Sequence, residues 1–364
     1  MSRKVNRFVI QSAIFIGVLL LILYINRPQA ATNKLLAWTE IRYKPKTADH
    51  SASRGVCPRL AGSRKPALVV ARVAADGDAS WIDSLSKKYH PCVYTVDAPM
   101  DPASKYLQVP RNRGHEAMVY LTFIIDNYYH IPEAGVVFVH GSRWAWHNDE
   151  PTYDNAALLK ALDVHAALEP WGYHNLRCDW RVSTCPPSAK PQGSMETSVQ
   201  AMISPWDARA VSDSLLPGAF ENIFGKVQSA DSKLGKHQTV RSQCCAQFIV
   251  GRVNILQHTI QEYIALRQWL LDESNDAAPR DDRISGRILS YLWHILFIKK
   301  QEVEENGAIS LEKLNSAACP RAPDCYCRLY GLCDLEKCTD GHCYGQYKIP
   351  PDFKIPDNWA ATHS

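Results

Sequence analysis

Hydrophobic positions along this chain fall into clusters of different length and spacing. The first, Phe8 to Ile25 (FVIQSAIFIGVLLLILYI), contains no charged residue. It is just long enough to cross the hydrocarbon core of a bilayer, which needs roughly 20 residues. Residues 26–65 follow with no sustained period. They are rich in Pro, Lys, Ser, Thr and Ala and hold one short apolar patch, Leu35 to Trp38. Such a segment reads as a flexible stem.

Regular patterning starts at Ala67. ALVVARV is short, apolar and rich in valine, as suits a strand buried on both faces. Asp78 to Tyr89 predicts a helix, with Trp81, Leu85 and Tyr89 spaced four apart and Asp78 as its N-cap. Cys92 to Ala98 reads as a second strand, Glu116 to Tyr129 (EAMVYLTFIIDNYY) as a largely buried helix, and Val136 to His140 (VVFVH) as a third strand. Further helices are expected over Ala156 to Glu169, Ile255 to Asp272 and Ile284 to Ile298, with a loop from Trp171 to Gln192. The alternation predicts an α/β domain over residues 66–318, with a mainly parallel sheet, right-handed crossovers and flanking helices. Ligands of open α/β sheets gather beyond the carboxyl ends of the strands. The stretch GSRWAWHNDE, Gly141 to Glu150, leaves from such an end.

Charge gives the apolar run an orientation. Arg3, Lys4 and Arg7 precede it, which predicts a cytoplasmic tail (residues 1–7), an anchor (8–25) and a lumenal bulk. Arg27, Lys34, Arg42, Lys44 and Lys46 follow, so the asymmetry is local. A cleaved signal peptide ending near Gln29-Ala30-Ala31 is the alternative, but signal h-regions run about 7–15 residues and this one is longer. The rest of the composition is globular, with 46% hydrophobic and 21% charged residues. A net charge of +4 with scattered basic residues gives no footprint for nucleic acid.

The 12 cysteines suit an oxidising compartment. Six fall in the tail Cys319 to Cys343 (Cys319, Cys325, Cys327, Cys333, Cys338, Cys343), spaced C-x5-C-x-C-x5-C-x4-C-x4-C. No C-x2-C pair occurs, so three disulfides stapling a small subdomain (residues 319–347) are expected over a zinc site that would use His342. Cys178 and Cys185 are further disulfide candidates. Adjacent cysteines rarely bond each other because the geometry is strained. Cys244 and Cys245 are therefore expected to pair elsewhere, for example with Cys178, Cys185 or Cys92.

No nucleophile elbow, H-E-x-x-H helix, P-loop or G-x-G-x-x-G loop is present. Looser constellations remain. His140 and His147, followed by Asn148, Asp149 and Glu150, could bind a divalent cation or supply a base and an acid. Trp144 and Trp146 could stack on a sugar ring or a nucleobase. The alternative is a packed loop whose tryptophans cover the strand ends. Arg111 and Arg113 stand at the head of the helix that starts at Glu116, where unpaired N–H groups favour an anion such as a diphosphate. Alternatively, Glu116 caps that helix and the arginines pair with nearby acids. His294, in SYLWHILF, reads as a satisfied core histidine.

The segments ALVVARVAADGDASWI, RNRGHEAMVYLTFIIDNY, VVFVHGSRWAWHND, NLRCDW, CCAQFIV and SGRILSYLWHILF occur in the same order in a family of fungal single-pass membrane proteins carrying a domain of unknown function. The chain resembles that family over roughly residues 67–345. Members often lie in or near secondary-metabolite gene clusters, and the resemblance implies no particular reaction. More loosely, the layout resembles glycosyltransferases of the GT-A type. These place an anchor and stem before a parallel α/β domain in the Golgi lumen and hold Mn²⁺ or Mg²⁺ with an Asp-x-Asp motif at a strand end. The corresponding strand here ends in His140-Gly141-Ser142, with Asp149 and Glu150 the next acids.

The resemblance implies a type II membrane protein of the Golgi or endoplasmic reticulum, with a glycosyltransferase-like domain acting on a small-molecule or glycan substrate. His147 or Asp149 would be the base toward an acceptor hydroxyl. Arg111, Arg113, Glu116, His140, Trp144, Trp146 and Asn148 would bind substrate, with Mn²⁺ or Mg²⁺ assisting a nucleotide sugar or the arginines replacing the metal. The rival expectations are a non-catalytic lumenal scaffold and a metal-dependent hydrolase or cyclase.

Overall fold

A computed structural model describes residues 3–25, 35–37, 40–47, 54–97, 103–225, 234–305 and 308–345. Helix α1 spans Arg3–Ile25, and nearly all of its side chains from Ile10 to Tyr24 are exposed. Among the described residues no helix is long and apolar enough to cross a membrane.

Six strands form the central sheet. In chain order these are β1 (Ala67–Arg72), β2 (His90–Thr95), β3 (Leu107–Gln108), β4 (Val136–His140), β5 (Tyr173–Asn175) and β6 (Phe248–Val250). Their order across the sheet is β3-β2-β1-β4-β6-β5. The first four run parallel, and β6 runs antiparallel to both of its neighbours. The expected mainly parallel sheet is thus present, with one reversed strand near an edge.

Successive side chains of a strand point to opposite faces, and here both faces are covered. Ala67, Val69, Val136 and Phe138 join one core cluster; Leu68, Val70, Val137 and Val139 join the other. That double burial is why β1 and β4 read as unbroken apolar runs. Packed on the first face are α2 (Glu116–Asp126), a long helix at Ala208–Phe224, and helices at Ile260–Leu271, Asp282–Ser290 and Trp293–Phe297. An aromatic column runs through this core: Tyr120 lies 4.8 Å from Phe138, Phe248 5.6 Å from Trp293, and Trp293 is stacked on Phe297 at 5.9 Å. The second face carries the short turn Ser80–Leu85, helix α3 (Asn155–Ala161) and the tail helix Ala322–Tyr330. The helices at Ala208–Phe224, Ile260–Leu271, Asp282–Ser290 and Ala322–Tyr330 are labelled α4, α5, α6 and α7.

Several elements are shorter than expected, each for a local reason. The helix expected over 78–89 is a 3-10 segment, Ser80–Leu85, at whose start Asp78 accepts from Ser80. The helix expected over 156–169 breaks at Leu162, because Asp163 accepts from Ala166 N and starts a second short helix. A capping box of Thr259 and Glu262 likewise restarts the chain at Ile260 within the expected 255–272 helix. The expected loop 171–192 contains β5. Part of the expected stem packs on the domain: Ile41 and Tyr43 are buried, and the Tyr43 hydroxyl donates to Asp272 at 2.7 Å.

The disulfides change the picture of the tail most. Only Cys327–Cys333 and Cys338–Cys343 close within it. Cys325 bonds Cys178 and Cys319 bonds Cys185, across separations of 147 and 134 residues. The tail is therefore stapled to the body rather than to itself, and bridges closing such long loops remove the most denatured-state entropy. His342, set aside as a zinc ligand, bonds Asp179 through Nδ1 at 2.8 Å. Cys57 pairs with Cys92, and Cys244 bonds Cys245 after all. The other ten cysteines are all engaged, so this adjacent pair has only itself.

Candidate functional site

The chain leaves β1 toward β2 and β3 on one side, then returns to the other side of β1 to form β4. The β1/β4 boundary is thus the topological switch point, where the crevice beyond the carboxyl ends receives ligands. β1 ends at Arg72 and β4 at His140. Gly141 lets the two ends close up: a Cβ there would stand 2.4 Å from Arg72 Cα and 2.5 Å from Asp76 Oδ2. Only glycine fits where a backbone atom is the obstacle. Burial raises the Asp76 carboxyl above its ordinary value, although His140 and Arg72 oppose the shift.

A cavity of about 420 Å³ opens past the end of β4, on the side away from β1. Elements far apart in sequence build its walls. The end of β4 supplies His140, and the loop after it supplies Trp146 and His147. The His140 and His147 rings meet edge to face at 4.8 Å, and Trp146 stands against His147 at 5.3 Å. The head of α2 supplies His115 and Glu116. His115 holds φ 53°, and Gly286 of α6 packs against it, where a Cβ would come within 3.1 Å of its ring. Glu116 makes no hydrogen bond or ion pair among the described residues.

Cationic groups close the far side. Arg287 of α6 donates to the Tyr291 hydroxyl at 2.7 Å and to Asp213 at 3.3 Å. Burial pushes the Tyr291 phenol well up, so it stays a donor, bonding Asp213 at 3.0 Å. Arg209, at the start of α4, is exposed and forms no ion pair among the described residues. The last wall is the strap Ser242–Ala246, which carries the bonded cysteines. His140 Nε2 lies 2.7 Å from the Cys245 carbonyl, so Nε2 is the donor of that bond. A second cavity, of about 350 Å³, lies beyond β1 and β2. It holds Asp97 and Tyr106, with the Arg72 guanidinium 4.4 Å over the Tyr106 ring.

Of the residues singled out in the sequence, Glu116, His140, Trp146 and His147 come together in the cavity. The others do not. Asn148 is fully buried and organises the loop, donating to the Arg143 and Tyr153 carbonyls and accepting from Gln247. Asp149 points to the opposite side, where its oxygens accept from Cys178 N at 2.7 Å, Asp179 N at 3.2 Å and the Tyr326 hydroxyl at 2.8 Å. Trp144 lies under Arg143, whose guanidinium stands 4.6 Å from the indole and pairs with Asp154. Arg113 donates to the Leu270, Ala278, Pro279 and Arg280 carbonyls and to Asp282, tying the α5–α6 connection. Arg111 is exposed near Glu273, 3.9 Å away. The guanidiniums that do line the cavity are those of Arg209 and Arg287. No sequence signal marks them as site residues, since each is one charge on an ordinary helix.

A hard divalent cation needs clustered oxygen ligands. The end of β4 offers no carboxylate pair, Asp149 is turned away, and Glu150 accepts from Thr152 and Asp154 N. Among the described residues one group, Cys57, His90 and Cys92, could surround a metal ion, and its two sulfurs are joined in a disulfide. The site does not fit Mn²⁺ or Mg²⁺ held by carboxylates.

Neither a curated protein nor a solved structure matches this chain. One family profile does, over residues 68–328, a span that takes in every residue of the cavity past β4 and the central sheet except Ala67. The chain belongs to the family described as "Protein of unknown function (DUF3431)".

Proposed function

We propose that this protein is a glycosyltransferase-like enzyme that binds a nucleotide-linked sugar in the cavity past the end of β4 and neutralises the departing diphosphate with side-chain cations. The observation that carries this reading is the make-up of the larger cavity. Past the carboxyl end of β4 it gathers a carboxylate with no partner among the described residues, three imidazoles and two guanidiniums. Guanidinium groups match phosphate oxygens in geometry and charge.

In the reaction the bond from the sugar's anomeric carbon to the diphosphate breaks, and an acceptor hydroxyl forms the new bond. Glu116 takes the hydroxyl proton, while Arg209 and Arg287 receive the negative charge that builds on the leaving group. His115 and His140 Nδ1 stand by as further polar contacts, and Trp146 presents a ring face to the sugar. Glu116 is the better base than Asp149, whose oxygens are committed to three buried donors. The second cavity, with the Arg72 and Lys105 cations over the Tyr106 ring, adds positive charge beyond β1 and β2. The apolar side chains exposed along α1 and the six disulfides support a membrane-associated, secretory-pathway setting, in keeping with a biosynthetic role in a fungus.

The full chain in detergent would be melted with UDP, GDP and their sugar conjugates, beside Arg209→Ala and Glu116→Gln. A nucleotide at a hundred times its dissociation constant adds about 2.7 kcal/mol. The expected result is stabilisation by one nucleotide, weakened in Arg209→Ala, with Glu116→Gln retaining binding but losing transfer. A cooperative melt that no nucleotide moves refutes the reading and leaves a lumenal scaffold.

A further inference from the structure

We infer that the Cys244–Cys245 disulfide is a positioning element of the cavity, holding His140 in place, and that its reduction to a dithiol weakens ligand binding. This rests on reading the cavity as the ligand site. Bonding two neighbouring cysteines closes a small ring through their shared peptide and restricts the backbone of both. Cys245 and the following Ala246 stand at φ 85° and 46°, in the left-handed region that side chains with a Cβ rarely adopt.

The surroundings hold that unusual turn from three directions. Asn175 of β5 donates to the Cys244 carbonyl at 3.2 Å, His140 of β4 to the Cys245 carbonyl at 2.7 Å, and Tyr120 of α2 to the Ala246 carbonyl at 3.0 Å. The next residue, Gln247, accepts from His140 N at 3.2 Å and from Asn155 at 3.0 Å. His140 is therefore fixed at ring and backbone by one strap whose conformation the disulfide selects. A strained turn placed on a cavity wall is where constraint serves binding.

The pair is also reachable. Cys244 and Cys245 are half-exposed on the cavity, whereas Cys57, Cys92, Cys178, Cys185, Cys319 and Cys325 are buried. Reduction by a dithiol transfers two electrons and two protons. The S–S bond breaks, two thiols form, and the dithiol becomes its own disulfide. Without the ring the turn can relax to an ordinary conformation, and the Cys245 carbonyl then leaves His140 Nε2.

The test uses the full chain with two readouts: exchange of the His140 Nε2 proton with water, followed by ¹⁵N nuclear magnetic resonance and assigned with His140→Gln, and the affinity for UDP. Graded dithiothreitol, with alkylation mapped by mass spectrometry, identifies which cysteines have opened. A Cys327→Ser/Cys333→Ser variant removes the most exposed of the other pairs, and the alkylation map follows Cys338–Cys343, of which Cys338 is half-exposed. Opening Cys244–Cys245 should speed proton exchange and weaken UDP by at least about tenfold each, roughly the effect of one lost hydrogen bond. Cys244→Ser/Cys245→Ser should behave like the reduced protein and ignore dithiothreitol. Free thiols at 244 and 245 before reduction, or exchange unchanged after it, would overturn the inference. If UDP fails to bind even the oxidised protein, the nucleotide reading falls, while proton exchange still decides the role of the disulfide.

Discussion

Replacing Asp149 with alanine separates an acid that does chemistry from one that holds the site up. Its carboxylate is 6% exposed and accepts from two backbone N–H groups, Cys178 and Asp179, and from the Tyr326 hydroxyl of the tail. Those two residues are fully buried and Tyr326 is 2% exposed, so water cannot readily replace the lost acceptor. Each stranded donor costs about 1–3 kcal/mol, and partial relaxation brings the three together to roughly 4 kcal/mol. A domain of this size shifts by roughly 2–4 °C per kcal/mol, so the melting temperature should fall by about 8–16 °C. Asp149→Asn keeps one acceptor oxygen and should recover part of the loss. The assay is thermal unfolding by circular dichroism on the oxidised full chain, with nucleotide binding measured well below the melt. A melting temperature within about 2 °C of wild type, coupled with lost activity, would refute the argument and return Asp149 to a catalytic role.

Two further outcomes follow from the geometry. Gly141→Ala should abolish nucleotide stabilisation, because its Cβ would meet Arg72 Cα at 2.4 Å and force β1 and β4 apart at the switch point; calorimetric binding equal to wild type would contradict this. Burial lowers His174 to about 4 and His294 to about 3, with the backbone bond to Asn175 opposing the shift at His174. The unfolded chain takes up these protons below about pH 6.5 and the folded chain does not. Stability should therefore be full above that value and fall as pH drops toward 4, by up to about 1.4 kcal/mol per pH unit for each histidine. Urea unfolding between pH 7 and 5 measures the slope, which His294→Gln should roughly halve; a flat profile would contradict the assignment.

The apolar runs of β1, β4 and α2 are legible in the sequence because burial on all sides leaves no polar positions to interrupt them. So is the address of the loop after His140, because a parallel sheet collects its ligands at the carboxyl ends. β5 and β6 are not legible: three residues each, they are too short to show a period. Within the loop, residues two apart part company. His147 faces the cavity and Asp149 faces the tail, since an irregular loop has no repeat from which a side can be read. The cysteine-rich tail announces disulfides by count alone, but its bridges to Cys178 and Cys185, and the pairing of Cys244 with Cys245, depend on which surfaces meet. The same holds for Arg209 and Arg287, which enter the site only because α4 packs on α6 and α6 on α2. Burial along an element is a local property and leaves its mark in neighbouring residues. The composition of a cavity depends on contacts between distant elements, and only the folded chain settles those.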